Sequence, residues 1–408
     1  MATPVPTSRR TLAVLCLASM GWAFSFALGV EVAPLWLRDA GFSPKAIGLN
    51  TSVYYLGVAV ASLFVPRLMG RSGRRCVVAG MLIDALVTAL LPWAGGAPGW
   101  FALRAVAGAA TAMSLIPMET LVNHNAPPER RARDFGVYAL GVALGVGLGS
   151  LPGPPLYALS RPLPFVLGGL AALAAAALAW RGLPAGGRYS EEKVDDTPLS
   201  LRTHSLSFGT AWAQGVLEGG MLTFLPLYLL GLGYAAEAVS WLLGGLFLGV
   251  VVCQVPVGWL ADRLGKLPLL LACHGVLAVG LLLAPSWRSP VPLWAGVFVL
   301  GACCGAQYPL GLALLGERVP AEALARANAW YLACNCAGSM TGPALMGLVI
   351  ERFGPGAEFP AGAAALALVV ASWAVCGRRG ALARRGAVAA APVGRVQWRR
   401  EPFAGQRP

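Results

Sequence analysis

The stretch Gly258-Trp259-Leu260-Ala261-Asp262-Arg263-Leu264-Gly265-Lys266 sets a compact charged turn between two apolar runs, 237–261 and 267–286. A helix that crosses a bilayer needs about 20 mostly apolar residues, and both runs reach that length. The chain therefore leaves a membrane at this turn and re-enters at once. Reading outward in both directions gives twelve such runs: 12–37, 46–68, 76–95, 100–122, 134–158, 163–180, 208–231, 237–261, 267–286, 292–315, 326–350 and 360–377. The connections are short except 181–207, a polar linker carrying Glu191, Glu192, Asp195 and Asp196. The tail, 378–408, is rich in Arg, contains Pro and reads as disordered. The fold class this predicts is an all-α integral membrane protein of twelve transmembrane helices.

Composition agrees. Of 408 residues, 57% are hydrophobic and only 12% charged, against about 25% charged in soluble domains. That excludes an ordinary soluble enzyme and a disordered chain. The net charge of +13 comes from 28 arginines and three lysines, Lys45, Lys193 and Lys266, and the Arg, Ala and Gly bias suggests a GC-rich bacterial genome. Position explains the charge. The N-terminus, the segments 67–75, 130–133, 263–266 and 318–326, the linker and the tail together hold 25 of the 31 cations. The alternate loops hold five (Arg38, Lys45, Arg161, Arg288, Arg352), and Arg104 lies inside a run. By the positive-inside rule both termini are cytoplasmic and the protein is a multi-pass resident of the bacterial inner (plasma) membrane. The basic clusters are thus topology signals rather than a nucleic-acid footprint, and the lipid bilayer is the partner they report.

Ser8-Arg9-Arg10-Thr11-Leu12 imitates a twin-arginine signal, but the apolar run continues to Leu37, too long for a signal peptide, so the first span is retained. The nine cysteines, Cys303-Cys304 and Cys334-x-Cys336 included, fall in or at the edge of the runs and read as small packing residues, with neither a disulfide framework nor a metal site. Gly70-Arg-Ser-Gly-Arg-Arg lacks the spacing and lysine of a nucleotide-binding loop. No cofactor is expected.

A shift of 192 residues brings the two halves of the chain into register. Pro34-Leu35-Trp36-Leu37 falls on Pro226-Leu227-Tyr228-Leu229, Gly57-Val58 on Gly249-Val250, Arg71 on Arg263, Gly73 on Gly265 and Pro117 on Pro309. With one inserted residue, Tyr138 falls on Tyr331, Gly145 on Gly338 and Gly149 on Gly342. Six spans are followed by six in the same orientation, the plan of a transporter whose halves are related by an axis along the membrane normal. The domains predicted are an N-terminal six-helix bundle (1–180), the linker (181–207), a C-terminal six-helix bundle (208–377) and the tail (378–408).

The turn quoted first, with Gly258, Asp262, Arg263, Gly265 and Lys266, resembles the signature loop of the major facilitator superfamily. The corresponding loop of the first half keeps Arg71, Gly73, Arg74 and Arg75, with Pro66 and Gly70 where that signature has Gly and Asp. The resemblance covers all but the tail and implies two parallel bundles that rock about a central cavity lined by spans 1, 4, 7 and 10. It implies gating roles for Gly258, Asp262, Arg263, Gly265, Arg71 and Arg74, with a solvated, topology-fixing turn as the alternative. The fifth span, with Gly136, Gly141, Gly145, Gly149 and Gly153, resembles the glycine-rich motif of drug–proton antiporters, although Ser150 replaces a proline and span eleven repeats the pattern with Gly338, Gly342 and Gly347. Small residues at that spacing also let helices approach, with Gly245 and Gly249 of span eight as the expected partners.

A charge in the bilayer core costs roughly 2.5–3.5 kcal/mol, so those present form the functional shortlist. The family fold makes Glu31, Arg104, Glu119, Glu218, Gln214, Gln307 and Tyr308 cavity candidates. Arg104-x-x-x-Gly108-x-x-x-Ala112 resembles a family motif linked to proton coupling. Glu31 and Arg104 sit at similar depth and are expected to pair, as a proton switch or as a fixed ion pair. Glu218, with Gln214 one turn before it, is the leading candidate for substrate or proton binding, the alternative being a carboxyl held by a neighbouring helix. Glu119 lies near the cytoplasmic mouth, as a gate or simply solvated. Asp84 and His274 occupy peripheral spans and are not expected to pair; Asp84 should turn into its own bundle, and His274 reads as a packing histidine.

The sequence thus predicts a monomeric, non-enzymatic secondary transporter of a small molecule, coupled to protons and leaning to efflux antiport. Symport or facilitated uptake of a nutrient is the alternative. A membrane-embedded lipid enzyme and a non-transporting sensor are remote ones.

Overall fold

The computed structural model describes residues 9–69, 73–125, 131–184, 202–287, 289–319 and 324–389. Arg71 lies outside them. Fourteen helices follow: α1 (Arg9–Asp39), α2 (Pro44–Ser62), α3 (Val65–Met69), α4 (Gly73–Leu90), α5 (Gly96–Asn125), α6 (Arg131–Ser150), α7 (Gly153–Leu159), α8 (Leu163–Gly182), α9 (Ser205–Gly231), α10 (Ala236–Leu264), α11 (Lys266–Leu283), α12 (Pro290–Gly316), α13 (Leu324–Phe353) and α14 (Glu358–Ala389). Among the described residues, eleven stretches are long and apolar enough to cross a bilayer. The remaining span is the broken pair α2–α3, which turns at Leu63 and Phe64 just before Pro66. The fifth span also breaks, into α6 and α7, at Pro152-Gly153-Pro154-Pro155, where prolines supply no N–H for the ladder.

One boundary moves. α14 continues through Ala389, so the first part of the segment read as a disordered tail is helical. Its sequence, Gly-Arg-Arg-Gly-Ala-Leu-Ala-Arg-Arg, is dominated by Ala, Leu and Arg, which favour helix.

The sequence repeat survives as individual contacts. Gly145 of α6 presses on the Met20 carbonyl of α1, and Gly338 of α13 presses on the Trp212 carbonyl of α9. Gly149 meets the Phe24 carbonyl, and Gly342 the Val216 carbonyl. A methyl group at any of these four glycines would stand within 2.5 Å of the carbonyl oxygen it faces. In the same way Gly57 and Gly108 lock α2 to α5 through Ala105 and Tyr54, while Gly249 and Gly301 lock α10 to α12 through Phe298 and Leu246. The first of these pairings corrects an expectation: the fifth-span glycines face α1, not span eight, and Gly245 and Gly249 face Trp294 and Phe298 of α12. Because α13 meets α9 just as α6 meets α1, the glycine pattern is a packing device of both halves. The contacts also place α5 onto α12 with a shift of 193 (Gly108 to Gly301), so the inserted residue precedes α5 and Pro309 stands one place ahead of the position equivalent to Pro117.

Helices α1 to α8 pack chiefly among themselves, as do α9 to α14, and the halves meet through α2 with α13, α6 and α7 with α10, and α1 with α9. The approaches between them cluster toward the ends opposite the arginine-rich loops. Gly48 meets the Pro343 carbonyl, Gly347 the Pro44 carbonyl, and Gly244 the Leu151 side chain. The Lys45 N–H donates to Glu351 Oε2 at 3.2 Å, and Thr223 Oγ1 donates to Thr51 Oγ1 at 3.5 Å.

On the arginine-rich face the quoted turn is a single residue between two helices. Gly265 ends α10 and starts α11 at φ 88°, ψ 145°, backbone that is nearly closed to residues bearing a Cβ. Gly265→Ala should cost on the order of 1–3 kcal/mol, read as a lower unfolding midpoint of the purified protein.

Candidate functional site

Glu218 stands mid-way along α9, in the middle of the apolar span, with its side chain exposed. Gln214, one turn earlier on the same face, donates Nε2–H to Glu218 Oε2 at 2.8 Å. Gln214 Oε1 in turn accepts from Asn335 Nδ2 of α13, which also donates to the Ala211 carbonyl at 3.2 Å. Asn335 was not singled out by the sequence. Its one signal in the sequence is an amide inside an apolar run. The chain Asn335–Gln214–Glu218 fixes the carboxylate from one side. Glu218 Oε1 has no hydrogen-bond partner among the described residues, and no lysine, arginine or histidine lies within 4 Å of the carboxylate. Glu218 is within electrostatic range of Tyr55 on α2, across the cavity, and of Cys304, Tyr308 and Cys336.

Tyr308 keeps part of its surface exposed, and its carbonyl accepts from Tyr331 Oη at 2.9 Å. Gln307, expected beside it in the cavity, is instead fully buried, with both amide atoms unpaired among the described residues. Adjacent residues point about 100° apart on a helix, so on α12 Tyr308 keeps some surface while packing on Tyr331 of its own half, and Gln307 keeps none. Glu119 is partly exposed and within range of Tyr308.

Arg104 does not pair with Glu31. Its guanidinium lies 4.8 Å from the centroid of the Tyr54 ring and is within electrostatic range of Asp84. Tyr54 is held by a 2.7 Å hydrogen bond between its hydroxyl and Thr111 Oγ1, and Asp84 by one from Ser25 Oγ at 3.5 Å. Asp84 has thus turned into its own bundle onto a hydroxyl partner. Glu31 is 1% exposed, has no hydrogen-bond partner among the described residues, and lies against Gly153 where α6 gives way to α7. Matched depth did not bring Glu31 and Arg104 together because they leave their helices in different directions: α1 turns Glu31 to the fifth span, while α5 packs on α2 and α4. Asp84 is within electrostatic range of the Arg104 guanidinium without forming an ion pair with it, so its removal should cost less than the breaking of a contacting buried pair. Asp84→Leu should unfold below the native protein, and Asp84→Leu/Arg104→Leu should recover part of the loss, as measured by thermal unfolding in detergent.

His274 is satisfied. Its Nδ1–H donates to the Leu270 carbonyl at 3.0 Å, which leaves Nε2 to accept from Thr210 Oγ1 at 3.4 Å. Cys273, Cys303 and Cys304 are free cysteines, Cys273 buried and the other two partly so.

The residues of the signature loop stand apart from the other half. Asp262 is exposed with no ion pair among the described residues, Gly258 has open space beside it, and the Arg263 guanidinium stacks 3.6 Å from the Trp259 ring centroid. Lys266 pairs with Glu317 at the end of α12, within its own half. Arg74 also stays within its half: it covers the Trp180 ring at 4.5 Å and reaches the Trp180 and Leu183 carbonyls at 3.4 and 3.5 Å, capping the end of α8. Among the described residues the halves are thus joined where α2 meets α13, and the residues of the 258–266 turn make no ion pair or ring contact with the first half.

Residues 11–238 and 208–402 match the sequence profile of the Major Facilitator Superfamily. An MFS-type transporter of Yersinia enterocolitica is 27% identical over 355 residues, covering 85% of this chain and 90% of the relative. The MFS-type transporter YfkF of Bacillus subtilis is 26% identical over 337 residues, 81% of this chain and 86% of the relative. Among solved structures, a bacterial homologue of the human lysosomal transporter Spinster, inward-facing and unoccupied, superposes with a TM-score of 0.70 at 18% identity, covering 90% of this chain and 96% of that one. The peptide transporter POT in complex with sulfate gives 0.73 at 15% identity, covering 93% and 98%, and the nucleoside transporter NupG gives 0.72 at 13%, covering 90% and 99%. At these identities the likeness to the solved structures is one of fold.

Proposed function

Because the chain belongs to the major facilitator superfamily, and is a multi-pass membrane transporter rather than an enzyme, we propose that it exchanges a small molecule for protons across the bacterial inner membrane by alternating access. The observation that carries this reading is Glu218: a mid-membrane carboxylate open to the cavity, with one oxygen held by Gln214 and the other without a partner among the described residues. A carboxylate in such surroundings needs a proton or a cationic guest to be neutral. If substrate and proton compete for it, each expels the other, and exchange follows from their mutual exclusion. The glycine-rich fifth span no longer bears on direction, since both halves use the same packing. The lean to efflux rests on the competition at Glu218.

In this reading both termini are cytoplasmic, the arginine-rich face is the cytoplasmic one, and the cavity opens to the cytoplasm. Rocking would close that face by bringing the Gly258–Lys266 turn, with Asp262 and Arg263, against the first half, with Glu119 at the mouth. One chain supplies both walls of the cavity, so a monomer suffices.

The test is flux in proteoliposomes, using a compound found by ligand-induced stabilisation of the purified protein. Antiport expects an imposed proton gradient to drive the compound against the direction of proton flow. Movement of compound and protons together would replace antiport by symport, and transport indifferent to the gradient would leave facilitation.

A further inference from the structure

A slot runs inside the second half, beside Glu218. Its volume is about 170 Å³, and among the described residues its walls come from α9, α10, α11, α12, α14 and the turn at Ala284–Trp287, none from the first half. Along α9 it extends from Gln214 to Leu229, about 22 Å at 1.5 Å per residue. Gln214 and Glu218 stand at its inner end; beyond them the lining is apolar, including Leu225, Leu281, Val297 and Leu293. At its outer end Tyr228 and Phe359 meet edge to face, 4.9 Å between centroids.

The repeat shows why this space is empty. The contact register places Phe26 on Glu218, Tyr54 on Leu246, Trp36 on Tyr228, Trp100 on Leu293 and Arg104 on Val297. In the first half these residues fill the space. Phe26 packs on Tyr54 at 5.8 Å, Arg104 covers Tyr54, and Trp36 lies 6.2 Å from Trp100. In the second half every one of the five equivalents lines the slot. The two halves share a backbone plan, but one is filled by aromatic rings and a guanidinium, while the other is hollow and carries a carboxylate at the inner end.

We propose that this slot holds the apolar part of an elongated hydrophobic monocation, such as a lipophilic amine, whose charged head sits on Glu218. The inference rests on Glu218 as the central site and adds the class of molecule it takes. Charge complementarity selects the head, since among the described residues Glu218 is the one charged group that lines the slot and no cation lies within 4 Å of it. The length and apolarity of the walls select an extended tail. A neutral amphiphile would leave the carboxylate unmatched, and an anion would be repelled.

The experiment is saturable binding of n-butylamine, n-hexylamine and n-octylamine to the full-length protein in nanodiscs at pH 7, beside n-octanol and n-octanoate, with free aqueous ligand measured. The amines should bind, tightening up to about fourfold per added methylene, whereas octanol and octanoate bind at least tenfold more weakly than octylamine. Leu293→Trp restores the residue that the first half carries at the equivalent place, and Leu246→Tyr does the same one wall away. Either should weaken octylamine at least tenfold and leave butylamine within about twofold, and the second variant serves if the first does not fold. Equal binding of octanol or octanoate, or an unchanged dependence on chain length in both variants, overturns the proposal. Loss of gradient-driven flux in Glu218→Gln is a separate measurement, so the exchange reading stands or falls independently of the substrate class.

Discussion

Glu218→Gln should reduce gradient-driven flux by two orders of magnitude or more while preserving exchange of substrate for substrate. Glutamine keeps the length and the hydrogen bond to Gln214 but holds no proton and no negative charge. The energy that couples two gradients lies in the alternation of occupants at one group. Removing the alternation leaves the rocking intact and disconnects it from the proton gradient. Asn335→Leu supplies a graded comparison. It deletes the far end of the Asn335–Gln214–Glu218 chain without touching the carboxylate, so coupling should weaken by about tenfold, in line with the loss of one hydrogen bond to a charged network. Driven flux in Glu218→Gln equal to that of the native protein would remove this residue from the mechanism.

The second large effect concerns the closed face. Thr51 and Thr223 sit on opposite halves with their hydroxyl oxygens 3.5 Å apart. Thr51→Cys/Thr223→Cys, oxidised with copper phenanthroline, should form a disulfide that fixes α2 to α9. Transport in proteoliposomes should then fall to background and return on reduction, while each single variant stays active under oxidant. The single variants also control for the nine natural cysteines. Full transport in the cross-linked protein would mean that the halves do not part along this line.

The charged turn at 258–266 and the 192-residue shift made the membrane fold and the pairing of halves legible, because apolar length and self-similarity are properties of sequence alone. Azimuth was the missing quantity. Glu31 and Arg104 share a depth, and depth can be counted along a helix, but which neighbour each helix presents it to depends on packing that no single span encodes. The glycines of span five show the same limit: their four-residue spacing signals close approach, and only the carbonyls of Met20 and Phe24 say to what. Gln307 was misplaced because the residue type invited a cavity role that its position on α12 denies. The contact between Gln214 and Glu218 was legible because their four-residue spacing sets them one turn apart on the same helix face. Asn335 lies on another helix and has no spacing relation to them.

The slot has one more consequence, for how such a protein changes over generations. The two halves repeat one scaffold, and with the cargo in the slot they would have different roles. The first copy keeps its interior filled by Phe26, Tyr54, Trp100 and Arg104 and acts as an abutment. The second is free to vary the walls of a void without disturbing the glycine-to-carbonyl seams that hold its helices. Cargo preference would then shift through residues such as Leu246, Leu293 and Val297, whose exchange for other apolar side chains reshapes the slot while the machinery of movement is inherited unchanged.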